Sequence, residues 1–247
     1  MVGRRINWYL VSLAIIFLAV WTWSAIEPIY PHDWLLENYL VFIFVPVIVG
    51  LGFYFRLSNI SYTLITIFMC LHVIGSHYTY AEVPFGFDLQ EMLNGTRNYY
   101  DRLVHFSFGF LLAYPVMEVY IRVSHTKGFW SYYLPVELTL AFSAIFELFE
   151  WGVVEMVNSE AGIAYLGAQG DIWDAQKDMA LAGLGALIAM VITMLIAFKI
   201  NPETVREFRN SFKIDKDDRP IGEIQLKEWW QRKKEKELRR LKKMRHK

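Results

Sequence analysis

D-A-Q-K-D-M-A-L-A-G-L-G-A-L-I-A-M-V-I-T-M-L-I-A-F-K (residues 174–199) decides the fold class. From Met179 to Phe198 it carries no charged residue, and a stretch of about 20 apolar residues is what an α-helix needs to cross the hydrocarbon core of a bilayer. Ala180, Gly183, Gly185 and Ala189 are small residues that let a neighbouring helix approach closely, so this helix is expected at the centre of a bundle.

Working outward, five more segments have the same character. The spans are expected at 6–26, 38–55, 60–77, 101–121, 132–157 and 174–198. A hydrophobic fraction of 55% with 17% aromatic and only 20% charged residues is too apolar for an ordinary soluble domain and fits this reading. The fold expected is an all-α, polytopic transmembrane helix bundle of about six spans over residues 1–200, followed by a basic cytoplasmic tail at 201–247. Arg4-Arg5 before an apolar run resembles a secretory signal. The run is longer than a signal core, and Trp21, Trp23 and Glu27 surround the cleavage region, so an uncleaved first helix is expected. The single Cys70 lies inside an apolar run and does not identify a redox compartment.

The formal net charge of zero hides a segregation. Residues 1–198 hold 8 Lys/Arg against 16 Asp/Glu, and residues 199–247 hold 17 against 9. Arg4, Arg5, Arg56, Arg122, Lys127 and the tail fall on one side of a six-span chain, which predicts a cytoplasmic location for that side and for both termini. The segment 27–37 is expected as an external loop and 78–99, with Pro84, Gly86, Asn94 and Gly95, as a long external turn. Residues 158–173 read as a third external segment, with three glycines and no apolar stripe. In the tail, K-D-D-R-P-I-G reads as a linker and the sequence from Glu228 as a charged helix, either solvated or touching an anionic lipid surface through Trp229 and Trp230. No base-reading module accompanies the charge, so specific nucleic-acid binding is not expected.

Three clusters carry the chemistry: D-R-L-V-H at 101–105, E-L-F-E-W at 147–151 and G-D-I-W-D-A-Q-K-D at 170–178. An ionisable side chain at the centre of a span costs roughly 2.5–3.5 kcal/mol on insertion scales, so a concentration of them marks a functional site by default. The topology brings His72, His77, Asp101, His105, Glu147, Glu150, Asp171, Asp174 and Asp178 to the external half. Asp101/His105 and Asp174/Asp178 are spaced i,i+4 and Glu147/Glu150 i,i+3, so each pair shares a helix face. So many carboxylates require raised pKa values, a cation such as Arg102 or Lys177, or a metal. His and carboxylate ligands without thiolate suit a divalent ion such as zinc or manganese, although no diagnostic ligand signature is present.

Two other uses of the cluster stay open: a metal-free acid/base or headgroup-binding site, and a structural polar network. Asp101 and Asp174 could also N-cap their helices. Glu147, flanked by Phe146, Leu148 and Phe149, has no such local role. As an enzyme the chain would be a hydrolase or transferase on a lipid or envelope substrate, with Glu147, His105, Asp178 and Asp101 as acid/base or ligand groups. As a non-enzyme it would be a transporter or a headgroup-binding protein. Glu118 and Glu137 belong to the other half and are expected to form a second polar contact there.

The stretches H-V-I-G-S-H-Y-T-Y-A-E-V-P (72–84), Y-D-R-L-V-H-F-S-F-G-F-L-L-A-Y-P-V-M-E (100–118), E-L-F-E-W (147–151) and Y-L-G-A-Q-G-D-I-W-D-A-Q-K-D-M (165–179) resemble the YjdF-type bacterial inner-membrane proteins. The resemblance implies a bacterial inner-membrane location and supplies no activity. A looser similarity links the chain to VanZ-like membrane proteins. Asp101/His105, Glu147 and Asp178/Gly185 fit that pattern, with Glu150 in the place of a Gln and Ala182 in the place of an Asn. By that similarity an envelope role is implied.

Overall fold

The structure is a computed structural model and describes residues 7–156, 168–214 and 221–245. Expectations placed on Arg4, Arg5, residues 157–167 and the first part of the linker, 216–220, lie outside the described residues. Nine α-helices and one 3₁₀ turn are described, with no strand among the described residues. They are α1 (Trp8–Ser24), α2 (Pro31–Tyr54), α3 (Asn59–Tyr78), the turn Tyr80–Glu82, α4 (Pro84–Met92), α5 (Tyr100–Val123), α6 (Phe129–Met156), α7 (Asp174–Ile200), α8 (Pro202–Asn210) and α9 (Ile221–Arg245). Five of them, α2, α3, α5, α6 and α7, are long and apolar enough to cross a membrane, and α1 is a shorter apolar helix of 17 residues. The architecture is the polytopic helical bundle read from the sequence.

Local chemistry sets the helix ends. The Asn7 side chain accepts from the Tyr9 amide at 3.1 Å and starts α1. Ser58 starts α3 through the Ser61 amide at 3.2 Å. Pro31, Pro84 and Pro202 occupy first-turn positions, where the missing N–H costs nothing and the fixed φ suits a helix.

Two boundaries differ from the sequence reading: α9 begins at Ile221, inside the expected linker and before Glu228, and α2 begins earlier than expected. Residues 31–37, expected in an external loop, form the first two turns of α2. Pro31 at the helix start and Asp33 in the first turn favour this. The extension carries Glu37 and Asn38 into the interior, where both are buried. There Asn38 accepts from the Trp21 indole at 2.7 Å and donates to the Trp34 carbonyl at 2.7 Å. The segment 78–99 turns without crossing, as expected, and is organised as the 3₁₀ turn and α4.

Helices α1 and α3 run parallel, tied at one end by Asn7 and Asn59 and at the other by His77 and the Ser24 carbonyl. A first core lies among α2, α3 and α5 around Val41, Ile65, Phe68, Met69, Val73 and Val104. A second lies between α5 and α7 around Ala113, Met117, Ala186, Ala189 and Met190. Large apolar side chains such as Ile15, Ile43, Phe53, Phe142, Leu148 and Leu195 point outward, which in a spanning bundle is the lipid-facing surface.

The closest helix pair is α5 with α7. A Cβ on Gly109 would lie 1.8 Å from the Ala182 carbonyl oxygen, and one on Gly185 would lie 2.2 Å from the Phe106 carbonyl oxygen. Of the small residues singled out in the sequence, Gly185 and Ala189 are buried at this contact, while Ala180 is exposed. The chain comprises two compact units, Met1–Ser211 and Phe212–Lys247. The first includes α8, held by Phe208 against Phe129 and Phe198 and by Ser211, whose hydroxyl accepts from the Phe129 amide at 2.8 Å.

At the other end of the bundle from the acidic clusters, Glu118 on α5 accepts from the Ser58 amide at 2.8 and 2.9 Å and from the Ser61 hydroxyl at 2.6 Å. It therefore caps α3 from a distance, with Arg122 at 2.8 Å as counter-ion. Glu137 does not join it and sits exposed beside the Tyr133 hydroxyl.

Candidate functional site

The acidic ends of α5, α6 and α7 meet at one depth. One donor atom each from Asp101, His105 and Asp178 lie within 4.8 Å of one another, an arrangement able to hold a cation. Glu147 reaches the same place from α6, with Oε1 3.6 Å from His105 Nε2, and Asp101 Oδ1 lies 3.5 Å from that nitrogen. Both separations are too long for a good hydrogen bond. Glu147 Oε1 is buried without a hydrogen-bond partner. A buried carboxylate oxygen so placed requires a proton, a water or a cation to offset its desolvation.

Two arginines brace the other side. Arg102 Nη1 stands 2.6 Å from Asp178 Oδ1, and its Nη2 stands 2.5 Å from Asp174 Oδ1 and 3.2 Å from Asp171 Oδ2. It also donates to the Asp174 backbone carbonyl at 2.9 Å. Arg97, buried like Arg102, pairs with Asp174 and Asp101 and approaches Asp171 at 3.9 Å. Lys177 closes on Asp171 at 2.6 Å. The Lys177 hydrogen bond and the Trp173 amide hold the Asp171 carboxylate below its usual pKa, so it stays ionised.

The loops that carry these groups are clipped together by Asn98, which is fully buried. Its amide donates to the Gln169 side-chain oxygen at 2.8 Å, and the Gln169 amide group donates back to the Asn98 carbonyl at 3.2 Å. Its own side chain donates to the Val83 carbonyl at 2.9 Å and accepts from the Tyr100 amide at 2.9 Å. Asn98, rather than Asp101, thus satisfies the first turn of α5. The carboxylates of Asp101 and Asp174 are free of the capping role and turned to the arginines.

The remaining sequence candidates divide. Glu150 lies in the neighbourhood of the Tyr80 hydroxyl, as do Glu37 and Asp101. Burial first, and then these carboxylates and Tyr100, push the Tyr80 phenol well above its usual pKa, so it remains a neutral donor. His72 Nε2 donates to the Glu37 carbonyl at 3.1 Å, which leaves Nδ1 to accept from the Tyr80 hydroxyl at 2.5 Å. Both ring nitrogens are therefore used. His77 donates through Nδ1 to the Ser24 carbonyl at 3.1 Å, and its ring meets Trp23 at a tilt and Tyr78 edge-on. Neither histidine is grouped with Asp101, His105 and Asp178, and both act as struts between helices.

Arg97, Asn98, Gln169, Glu37 and Tyr80 were not among the sequence candidates. Arg97 offered one signal, since it stands four residues before Asp101, the spacing of a helical ion pair. Glu37 was hidden by its assignment to a loop.

Residues 9–199 match the family described as predicted membrane protein (DUF2238). The chain is 37% identical over 164 residues to the inner membrane protein YjdF of Escherichia coli (strain K12), covering 65% of this chain and 78% of that protein. No solved structure matches the chain. With a family match over nearly the whole bundle and a six-helix apolar architecture, the chain belongs to the DUF2238 membrane proteins and is a YjdF-type, multi-pass inner-membrane protein.

Proposed function

We propose that the bundle holds a divalent cation between Asp101, His105, Glu147 and Asp178, and that this centre serves a hydrolase or transferase acting on a lipid or envelope substrate at the external face. The observation that carries the reading is the convergence of Asp101, His105 and Asp178 donor atoms within 4.8 Å, with an unpartnered Glu147 oxygen beside them. Three carboxylates and an imidazole form a hard-to-borderline donor set suited to zinc or manganese. Arg102 Nη1 forms an ion pair with Asp178 Oδ1 at 2.6 Å and so would hold that carboxylate at the centre. A bound ion would polarise a phosphoryl or carbonyl oxygen or activate a water. Arg97 and Arg102 would hold the surrounding Asp side chains in place.

The external placement belongs to the same proposal. Arg56, Arg122, Lys127, Lys199, Arg206 and Arg209 belong to the segments around α8, at the end away from the site, and short-loop Lys/Arg marks the cytoplasmic side. Both termini are then cytoplasmic.

Elemental analysis of detergent-purified protein tests the centre. The expected result is about one zinc or manganese per chain in the wild type, lost in His105→Ala and in Glu147→Gln while both variants elute like the wild type on gel filtration. Metal-free wild type that gains no thermal stability from added zinc or manganese would remove the metal. The site would then be better read as a headgroup-binding or proton-relay site.

A further inference from the structure

Helix α9 is the one long helix that the bundle and its site do not explain. From Ile221 to Arg245 it carries ten Lys/Arg against four Glu, on a sequence with little apolar content. A helix of that composition has no need of aromatic residues for its own stability. It nevertheless presents Leu226, Trp229 and Trp230, which at spacings of three and four lie together on the helix surface. These three are 61%, 48% and 56% exposed. The two indoles meet edge-on with centroids 4.9 Å apart, and the Lys233 ammonium lies 5.1 and 5.3 Å from the two rings. The outcome is an exposed apolar patch with a cation at its rim, set in a strongly basic helix.

We propose that α9 is an interfacial helix that lies on an anionic lipid surface of the bilayer in which this chain is anchored, with Leu226, Trp229 and Trp230 in the headgroup region and the Lys/Arg side chains on lipid phosphates. Indole rings favour the headgroup level because one edge is apolar and the N–H is polar. Basic side chains add attraction to an anionic leaflet that falls off within a Debye length. Charge complementarity and tethering choose the occupant together. The chain reaches α9 only 20 residues after the end of the spanning helix α7, so lipid capture is an intramolecular event at high effective concentration. A nucleic acid would meet the same charge but has no use for a buried Leu-Trp-Trp patch, and free partners lack the tether.

The test uses full-length protein carrying Cys70→Ala and Leu226→Cys, labelled at the new thiol with an environment-sensitive fluorophore and placed in lipid nanodiscs. Discs expose both faces, so the result does not depend on the orientation or on the metal centre proposed above. Discs of phosphatidylcholine alone are compared with discs containing phosphatidylglycerol. The expected result is blue-shifted emission and a severalfold drop in quenching by acrylamide only in the anionic discs. Both should be lost at about 1 M salt, where the screening length falls to about 3 Å. They should also be lost in a variant with Lys233→Glu, Lys234→Glu and Lys236→Glu that elutes normally on gel filtration. Equal quenching in both lipid compositions at low salt overturns the proposal. So does protection by added single-stranded RNA in discs of either composition with none from the anionic lipid, which would make the patch a nucleic-acid surface.

Discussion

Arg102 shows what a single residue does in this interior. It is nearly buried and answers Asp171, Asp174 and Asp178 at once, the last of these 2% exposed. Removing one partner from such a network leaves carboxylates in a poorly solvated site, a loss of about 3–5 kcal/mol for buried pairs in general. Arg102→Gln is therefore expected to lower the thermal midpoint of the detergent-solubilised protein clearly, and adding Asp178→Asn in the same chain should restore part of the loss. Thermal unfolding of the single and double variants measures this, and additive losses would show that the two side chains do not work as a pair. The carboxylate and imidazole partners were legible in the sequence because i,i+3 and i,i+4 spacing is local. Gln169 and Asn98 were not, since their mutual bonds join residues 71 apart in the chain and no periodicity reports such contacts. His72 was visible as a polar residue in a span, but its two bonds to Glu37 and Tyr80 depend on how α2 and the 3₁₀ turn fold around it.

At the scale of elements, the contact between α5 and α7 positions the site, because Asp101 and His105 stand on one helix and Asp174 and Asp178 on the other. Two glycines from opposite helices allow the backbones to touch. A side chain at Gly109 would meet the Ala182 backbone, which has no rotamer by which to yield. Gly109→Val should therefore push the helices apart at a cost of about 1–3 kcal/mol or more. Heat-stability measurements and metal content should fall together. Gly152→Ala is the control, with nothing within 4 Å of the added Cβ, and should leave both unchanged or slightly improved. The small residues of α7 signal its close approach to α5, but the central place expected for α7 belongs to α5, which packs against α3, α6 and α7 and is the more buried of the two, while α7 turns Leu184, Leu187, Val191 and Leu195 outward. The start of α2 was misjudged because polar residues at 31–37 read as loop when counted by hydropathy. Their helix-starting chemistry, Pro then Asp, carried the opposite message.

For the whole molecule, the positions of charge and the extent of the first compact unit can be tested in one experiment. The unit runs through Ser211, and α8 is fastened to α6 and α7 by Phe208, Phe129 and Phe198, while the Trp130 indole donates to the Ser211 carbonyl at 3.2 Å. A bundle ended after Ser211 keeps these contacts, and one ended after Asn201 loses all of them that involve α8 and Ser211. Burial of an aromatic cluster of this kind contributes about 0.5–1.5 kcal/mol per ring pair beyond its area. Green fluorescent protein fused after Ser211 should accordingly give a monodisperse, fluorescent product, since this reporter folds in the cytoplasm and the positive end of the bundle is proposed to lie there. The same fusion after Asn201 should fluoresce in cells yet aggregate or melt earlier once solubilised. A dark fusion at Ser211, paired with an active periplasmic alkaline phosphatase at the same position, would reverse the orientation and put Asp101, His105, Glu147 and Asp178 on the cytoplasmic face, where an envelope substrate could not reach them.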